Sequence, residues 1–160
     1  LDKEETGGSL FGKLAQAGAE LLIKTLPSIE QGTVTPEKQP QESPTPYAAM
    51  ITKQMGLMDF SKPAAELERL VRGLNPWPSA YTFVNGKTLK VWKSVLGQET
   101  SDAEPGTVMG TDAQGIHVAC KDGVLILTEV QLEGKKRMEA EVFLRGYHME
   151  AGTRFTDHKE

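Results

Sequence analysis

Apolar residues recur at two different periods along this chain, and the change of period divides it. Leu10, Leu14, Ala17 and Leu21 repeat at helical spacing from a capping Ser9 up to Pro27. Such a stripe must bury itself against something. It packs either on the rest of the chain or on a domain lying upstream. Residues 33–46 then carry almost nothing apolar. Pro36, Pro40, Pro44 and Pro46 alternate there with Glu, Gln, Lys, Ser and Thr, which predicts an extended, exposed spacer. No two of these prolines fall at PxxP spacing and Lys38 is the one basic residue, so a recognition-module ligand is disfavoured.

Past residue 47 the pattern tightens. Leu67, Leu70, Val71 and Leu74 mark one face of a helix, with Ser61 as N-cap, Pro63 in its first turn, and Gly73 and Asn75-Pro76 as its stop. Strand-like runs follow at 80–84, 87–96, 106–111, 115–120 and 124–131. Asn85-Gly86 joins the first pair, because a two-residue hairpin turn needs positive φ at both centres. A short helix over 140–144 closes the core. The fold class expected is mainly β with flanking helices, built as a small antiparallel OB-like barrel. A five-stranded open sheet capped by the Ser61 helix gives the same strings.

Composition narrows the function. No run approaches the roughly 20 apolar residues of a membrane span, and no basic-then-apolar leader opens the chain. The single Cys120 excludes an internal disulfide framework, so the expected address is cytoplasmic. Net charge is −4, but it is uneven. Up to residue 46 there are 4 basic and 7 acidic residues, and from residue 47 onward 14 and 15. A local basic face is therefore compatible with an acidic chain.

Local motifs give poor support to catalysis by this chain. His117 and Cys120 stand three apart in a strand, on opposite faces, and His148 and His158 have no Cys/His cluster nearby, so no metal site is expected. No G-x-S-x-G, P-loop or G-x-G-x-x-G appears. Trp77, in the Asn75-Pro76-Trp77-Pro78 corner, is expected to fill the seam between helix and barrel. Trp92, within Lys90-Val91-Trp92-Lys93, suits either base stacking or half-buried packing. The lysines carry the best functional signal. Lys87, Lys90 and Lys93 punctuate one hairpin arm, Lys135, Lys136 and Arg137 cluster after the last strand, and Lys53 and Lys62 flank the entry. Phosphates require several such cations.

The stretches Arg72-Gly73-Leu74-Asn75-Pro76-Trp77-Pro78, Pro105-Gly106-Thr107-Val108, Gly123-Val124-Leu125, Gly134-Lys135-Lys136-Arg137-Met138 and Phe143-Leu144-Arg145-Gly146 together resemble the C-terminal half of bacterial methionyl-tRNA formyltransferases. The opening helix resembles the tail of that family's Rossmann-like catalytic domain. The resemblance implies a remnant of that domain at 1–32, a Pro-rich linker at 33–46 and an OB-like tRNA-binding domain at 47–160. It implies a parent enzyme, expected to be a monomer, that moves a formyl group from 10-formyltetrahydrofolate to methionyl-initiator tRNA. The family's Asn-His-Asp set and His-x-Ser-Leu-Leu-Pro signature lie in the catalytic domain and are absent here, so no catalytic residue and no bound cofactor are expected. The tRNA-binding role falls on Lys53, Lys135, Lys136 and Arg137 in matched segments, with Lys87, Lys90 and Lys93 beside them. Met50 departs from the basic residue common in relatives before Ile-Thr-Lys. The alternatives are the equivalent domain of another formyl-folate enzyme (a hydrolase, a dehydrogenase or a sugar formyltransferase) or a non-enzymatic interaction domain.

Overall fold

A computed structural model describes residues 1–43 and 45–159; the linker's Pro44 and the terminal Glu160 lie outside the described residues. Helix α1 spans Gly7–Glu30 and α2 spans Ala64–Gly73. Strands β1 (Ala80–Val84), β2 (Lys87–Leu96), β3 (Val108–Thr111), β4 (Ile116–Cys120) and β5 (Gly123–Leu132) follow, then a two-residue β6 (Met138–Glu139) and α3 (Ala140–Gly146). A 3-10 turn at Lys53–Gly56 precedes α2. Among the described residues no helix is long and apolar enough to cross a membrane.

All strand pairs are antiparallel, in the order β1-β2-β5-β4-β3, with β6 on the far half of β5. The ten residues of β5 pair with β2 over Leu125–Leu132, with β4 over Gly123–Leu127 and with β6 at Glu129 and Val130, and the strand they share is almost continuously buried. The named strands do not close on themselves. Residues 152–156 run between the two free edges instead. Phe83 and Thr156 exchange backbone hydrogen bonds at 3.1 and 3.0 Å, Val108 N–H donates to Thr153 at 2.8 Å, and Phe155 N–H donates to Gly106 at 2.9 Å. The result is OB-like in outline, with Leu67, Val71, Leu89, Val91, Ile116, Val118, Leu125 and Leu127 forming its buried centre. Phe143 of α3 and a Phe60–Phe155 ring pair seal the ends. The Asn85-Gly86 turn has φ of 48° and 69°, as its residues require.

Four expectations about helix ends and corners change. α1 begins at an N-cap Thr6, whose hydroxyl and backbone exchange bonds with Ser9, so Ser9 is the third helical residue rather than the cap. The helix also continues past Pro27 to Glu30. Ser61 does not cap α2, because its N–H and hydroxyl both bond Asp59 at 3.0 and 2.6 Å. The α2 terminus is satisfied from across the fold, by Asp122 accepting from Ala64 N–H at 2.9 Å. Trp77 is 57% exposed and fills no seam; α2 seats its own Leu67 and Val71 on the sheet without it.

Candidate nucleic-acid interface

The outward side of β2 is where the predicted cations meet. Leu89 and Val91 alternate inward, Val91 opposite the buried Val130, which leaves Lys90 and Trp92 outward beside Gln131 of β5. An irregularity in register around Lys93 then turns that lysine outward as well. Trp92 is half-buried at the centre. Its indole N–H donates to the Gln131 side chain at 3.2 Å, the Arg137 guanidinium lies 4.5 Å from the ring centroid and Lys90 Nζ lies 5.7 Å from it. Gln131 in turn donates to the Lys135 carbonyl at 3.0 Å, which ties the 133–136 turn to the same face.

Arg137 has a second engagement. Its Nε and one terminal nitrogen form a two-point pair with Glu129, the latter at 2.8 Å, and Lys93 Nζ stands 3.3 Å from the same carboxylate. Glu129 is 9% exposed. Arg137, and then Lys93, hold its carboxyl below the usual range against the opposing effect of burial. Glu129 is the one charged residue in the Gly-Val-Leu-Ile-Leu-Thr-Glu-Val-Gln-Leu of β5. That isolation was the sequence signal for it, and reading the lysines alone passed over it. Neighbouring Glu133 sits at about 2, lowered by the Thr88 N–H and then by Lys159.

Lys87 begins β2 next to Thr88, which bonds the backbone and side chain of Glu133, so Lys87 lies beside the 133–136 turn. Lys135 and Lys136 are exposed, and among the described residues neither side chain forms an ion pair. Lys53 is exposed on the 3-10 turn that packs against β1, and no described hydrogen bond or ion pair joins it to the Trp92 cluster. The arrangement thus divides the cations. Lys90, Lys135, Lys136 and Lys87 are available to an anion, while Arg137 and Lys93 neutralise Glu129. Asn75 also reaches this face, its side-chain amide donating to the Trp92 carbonyl at 3.0 Å. In the sequence Asn75 marks a helix stop and opens the Pro-Trp-Pro corner, neither of which signals this contact.

Among the described residues no group of acids, histidines and cysteine could hold a metal ion. Cys120 is buried, and desolvation pushes its thiol up to about 12, so it is no nucleophile at neutral pH.

Residues 50–148 match the model of the formyl transferase C-terminal domain. The methionyl-tRNA formyltransferase of Lachnospira eligens is 51% identical over 157 residues, covering 95% of this chain and 50% of that protein. The methionyl-tRNA formyltransferase of Bacillus subtilis is 48% identical over 155 residues, covering 95% and 49%. The chain therefore spans about half the length of these curated relatives. Among solved structures, HypX from Aquifex aeolicus in complex with tetrahydrofolic acid superposes with a TM-score of 0.63 at 16% identity, over 89% of this chain and 25% of that one. That likeness is one of fold.

Proposed function

We propose a function for this chain from its family: it belongs to the formyl transferases, residues 50–148 forming their C-terminal domain, and it acts as the tRNA-binding C-terminal portion of a methionyl-tRNA formyltransferase. The parent enzyme would transfer a formyl group from 10-formyltetrahydrofolate to methionyl-initiator tRNA in the cytoplasm. Residues 1–32 would be the end of its catalytic domain, 33–46 the linker and 47–160 the RNA-binding unit. The observation that carries this reading is the basic face around Trp92 on a chain of net charge −4. Cations scattered for solubility would not converge on one half-buried indole. Lys90, Lys135, Lys136 and Lys87 would touch phosphates, Lys53 would add a contact from the β1 side, and Arg137 with Lys93 would hold the platform on which the others stand. Such contacts fix position and read no sequence.

Anisotropy of labelled tRNA against the chain across a salt series tests it. Each phosphate neutralised contributes about 0.7–0.9 to the slope of log affinity on log salt. Lys135→Ala with Lys136→Ala should therefore flatten the slope by about one to two, with the melting temperature unchanged because both side chains are exposed. An unchanged slope with a lowered melting temperature would make these lysines structural and remove the proposed role.

A further inference from the structure

The way α1 meets the barrel is unlike a helix lying on a core. None of its residues is buried, and Phe11, Leu14, Leu21, Leu22, Ile23, Leu26 and Ile29 are all exposed. Contact is concentrated at the first turn. Gly8 N–H donates to the Asn75 carbonyl at 2.9 Å, and the Arg72 guanidinium donates to the Glu5 carbonyl at 3.0 Å. Gly7 and Gly8 lie so close to the α2 end that a Cβ on Gly7 would come within 2.3 Å of the Gly73 carbonyl oxygen. One on Gly8 would come within 2.6 Å of Pro76 Cδ. Further out, Gly12 and Gly18 face open space. The turn is stiffened from within by the Thr6–Ser9 bonds and by the Glu5 carboxylate, 8% exposed, which accepts from the Ser9 hydroxyl and from Lys13 at 2.6 Å.

One hydrogen-bonded path runs from this turn to the basic face. The Asn75 carbonyl receives α1, and the Asn75 side-chain amide grips the Trp92 carbonyl. We propose that residues 5–9 form a rigid joint, with Gly7, Gly8, Arg72 and Asn75 as positioning residues, that fixes the direction in which α1 leaves the barrel relative to the Trp92 face. The 24 residues of α1 make a rod about 36 Å long, so a small rotation at the joint moves its far end by many ångströms. The linker cannot set this angle. Its 14 residues, 33–46, reach about 43 Å when extended, enough to return along the rod, but they follow its far end at Glu30 and leave the angle at residues 5–9 to the joint. Resting on the reading of α1 as part of an upstream catalytic domain, the joint would set how RNA held on the basic face is presented to that domain.

The joint is measurable on this chain without RNA, which keeps its fate separate from that of tRNA binding. Spin labels on Glu20→Cys and Lys121→Cys report the angle of the rod, while the buried Cys120 stays unlabelled. The expected result is one narrow distance distribution. Gly7→Val with Gly8→Val should broaden it at least twofold, Gly8→Ala should broaden it less, and Gly18→Val, which meets nothing within 4 Å, should leave it alone. The melting temperature of the barrel reports that each variant is folded. A broad distribution in the unsubstituted chain overturns the proposal, as does an unchanged distribution in both Gly8 variants.

Discussion

Replacing Arg137 by alanine separates the two duties that the basic face places on one guanidinium. The substitution leaves Glu129 facing Lys93 alone at 3.3 Å. Breaking a fully buried pair costs about 3–5 kcal/mol and an exposed one about 0–1 kcal/mol. Here the Glu129 side chain is 11% exposed and that of Arg137 39%, with a second cation remaining, which puts the loss at about 2 kcal/mol. The guanidinium over Trp92 adds about 0.5 kcal/mol. At roughly 4 °C per kcal/mol for a domain of this size, thermal unfolding followed by circular dichroism should fall by about 8–10 °C at neutral pH. Adding Glu129→Gln should recover about half of it, because the stranded charge is then gone. The pH dependence follows from the lowered Glu129 carboxyl. A carboxylate depressed in the folded state contributes its stability above the unfolded pKa and loses it as pH falls through the folded value. The gap between the parent chain and the variant should thus be full at neutral pH and narrow below about pH 4. Equal melting temperatures at neutral pH, or a gap unchanged in acid, would refute the reasoning.

Asp122→Ala removes the distant cap of α2 and should cost about 1 kcal/mol, while Asp122→Asn keeps most of it; calorimetry of both variants checks this. Deleting residues 1–32 removes no buried α1 side chain, so the barrel should lose no more than about 1–2 kcal/mol for the joint's hydrogen bonds. A loss of several kcal/mol in a denaturant titration would instead make α1 a core element. The 160-residue chain should transfer no formyl group from 10-formyltetrahydrofolate to charged initiator tRNA, and turnover above background in that assay would refute the division of labour proposed above.

The strands were legible because their signals are local. Alternation in residues 80–96, the Asn85-Gly86 pair and the apolar run of β5 each constrain the backbone within a few residues. What escaped reading depends on partners far along the chain. Ser61 has the chemistry of a cap, but Asp122 occupies that role from 58 residues beyond Ala64. β6 is two residues long and exists only through Glu129 and Val130. Trp77 has the bulk of a core residue, yet the corner directs it into solvent. Pro27 reads as a stop, although α1 runs on to Glu30 and buries none of its side chains. At the basic face the lysines were readable as charge, while the partition between Lys135 or Lys136 and Arg137 was set by Glu129, a strand neighbour invisible to charge counting.

The 152–156 segment also imposes an order of events on a growing chain. Thr82 and Thr156, which end up hydrogen-bonded, are 74 residues apart. During synthesis the Phe83 end of β1 and the outer side of β3 therefore carry unpaired N–H and C=O groups until every named strand has been made, a condition that invites pairing with other molecules. Closure through so long a loop is also slow. Short edge strands, five residues in β1 and four in β3, limit the exposed template during that interval. A protease cut near Gly152 would reopen both edges at once, turning a closed molecule into one able to recruit strands from two sides.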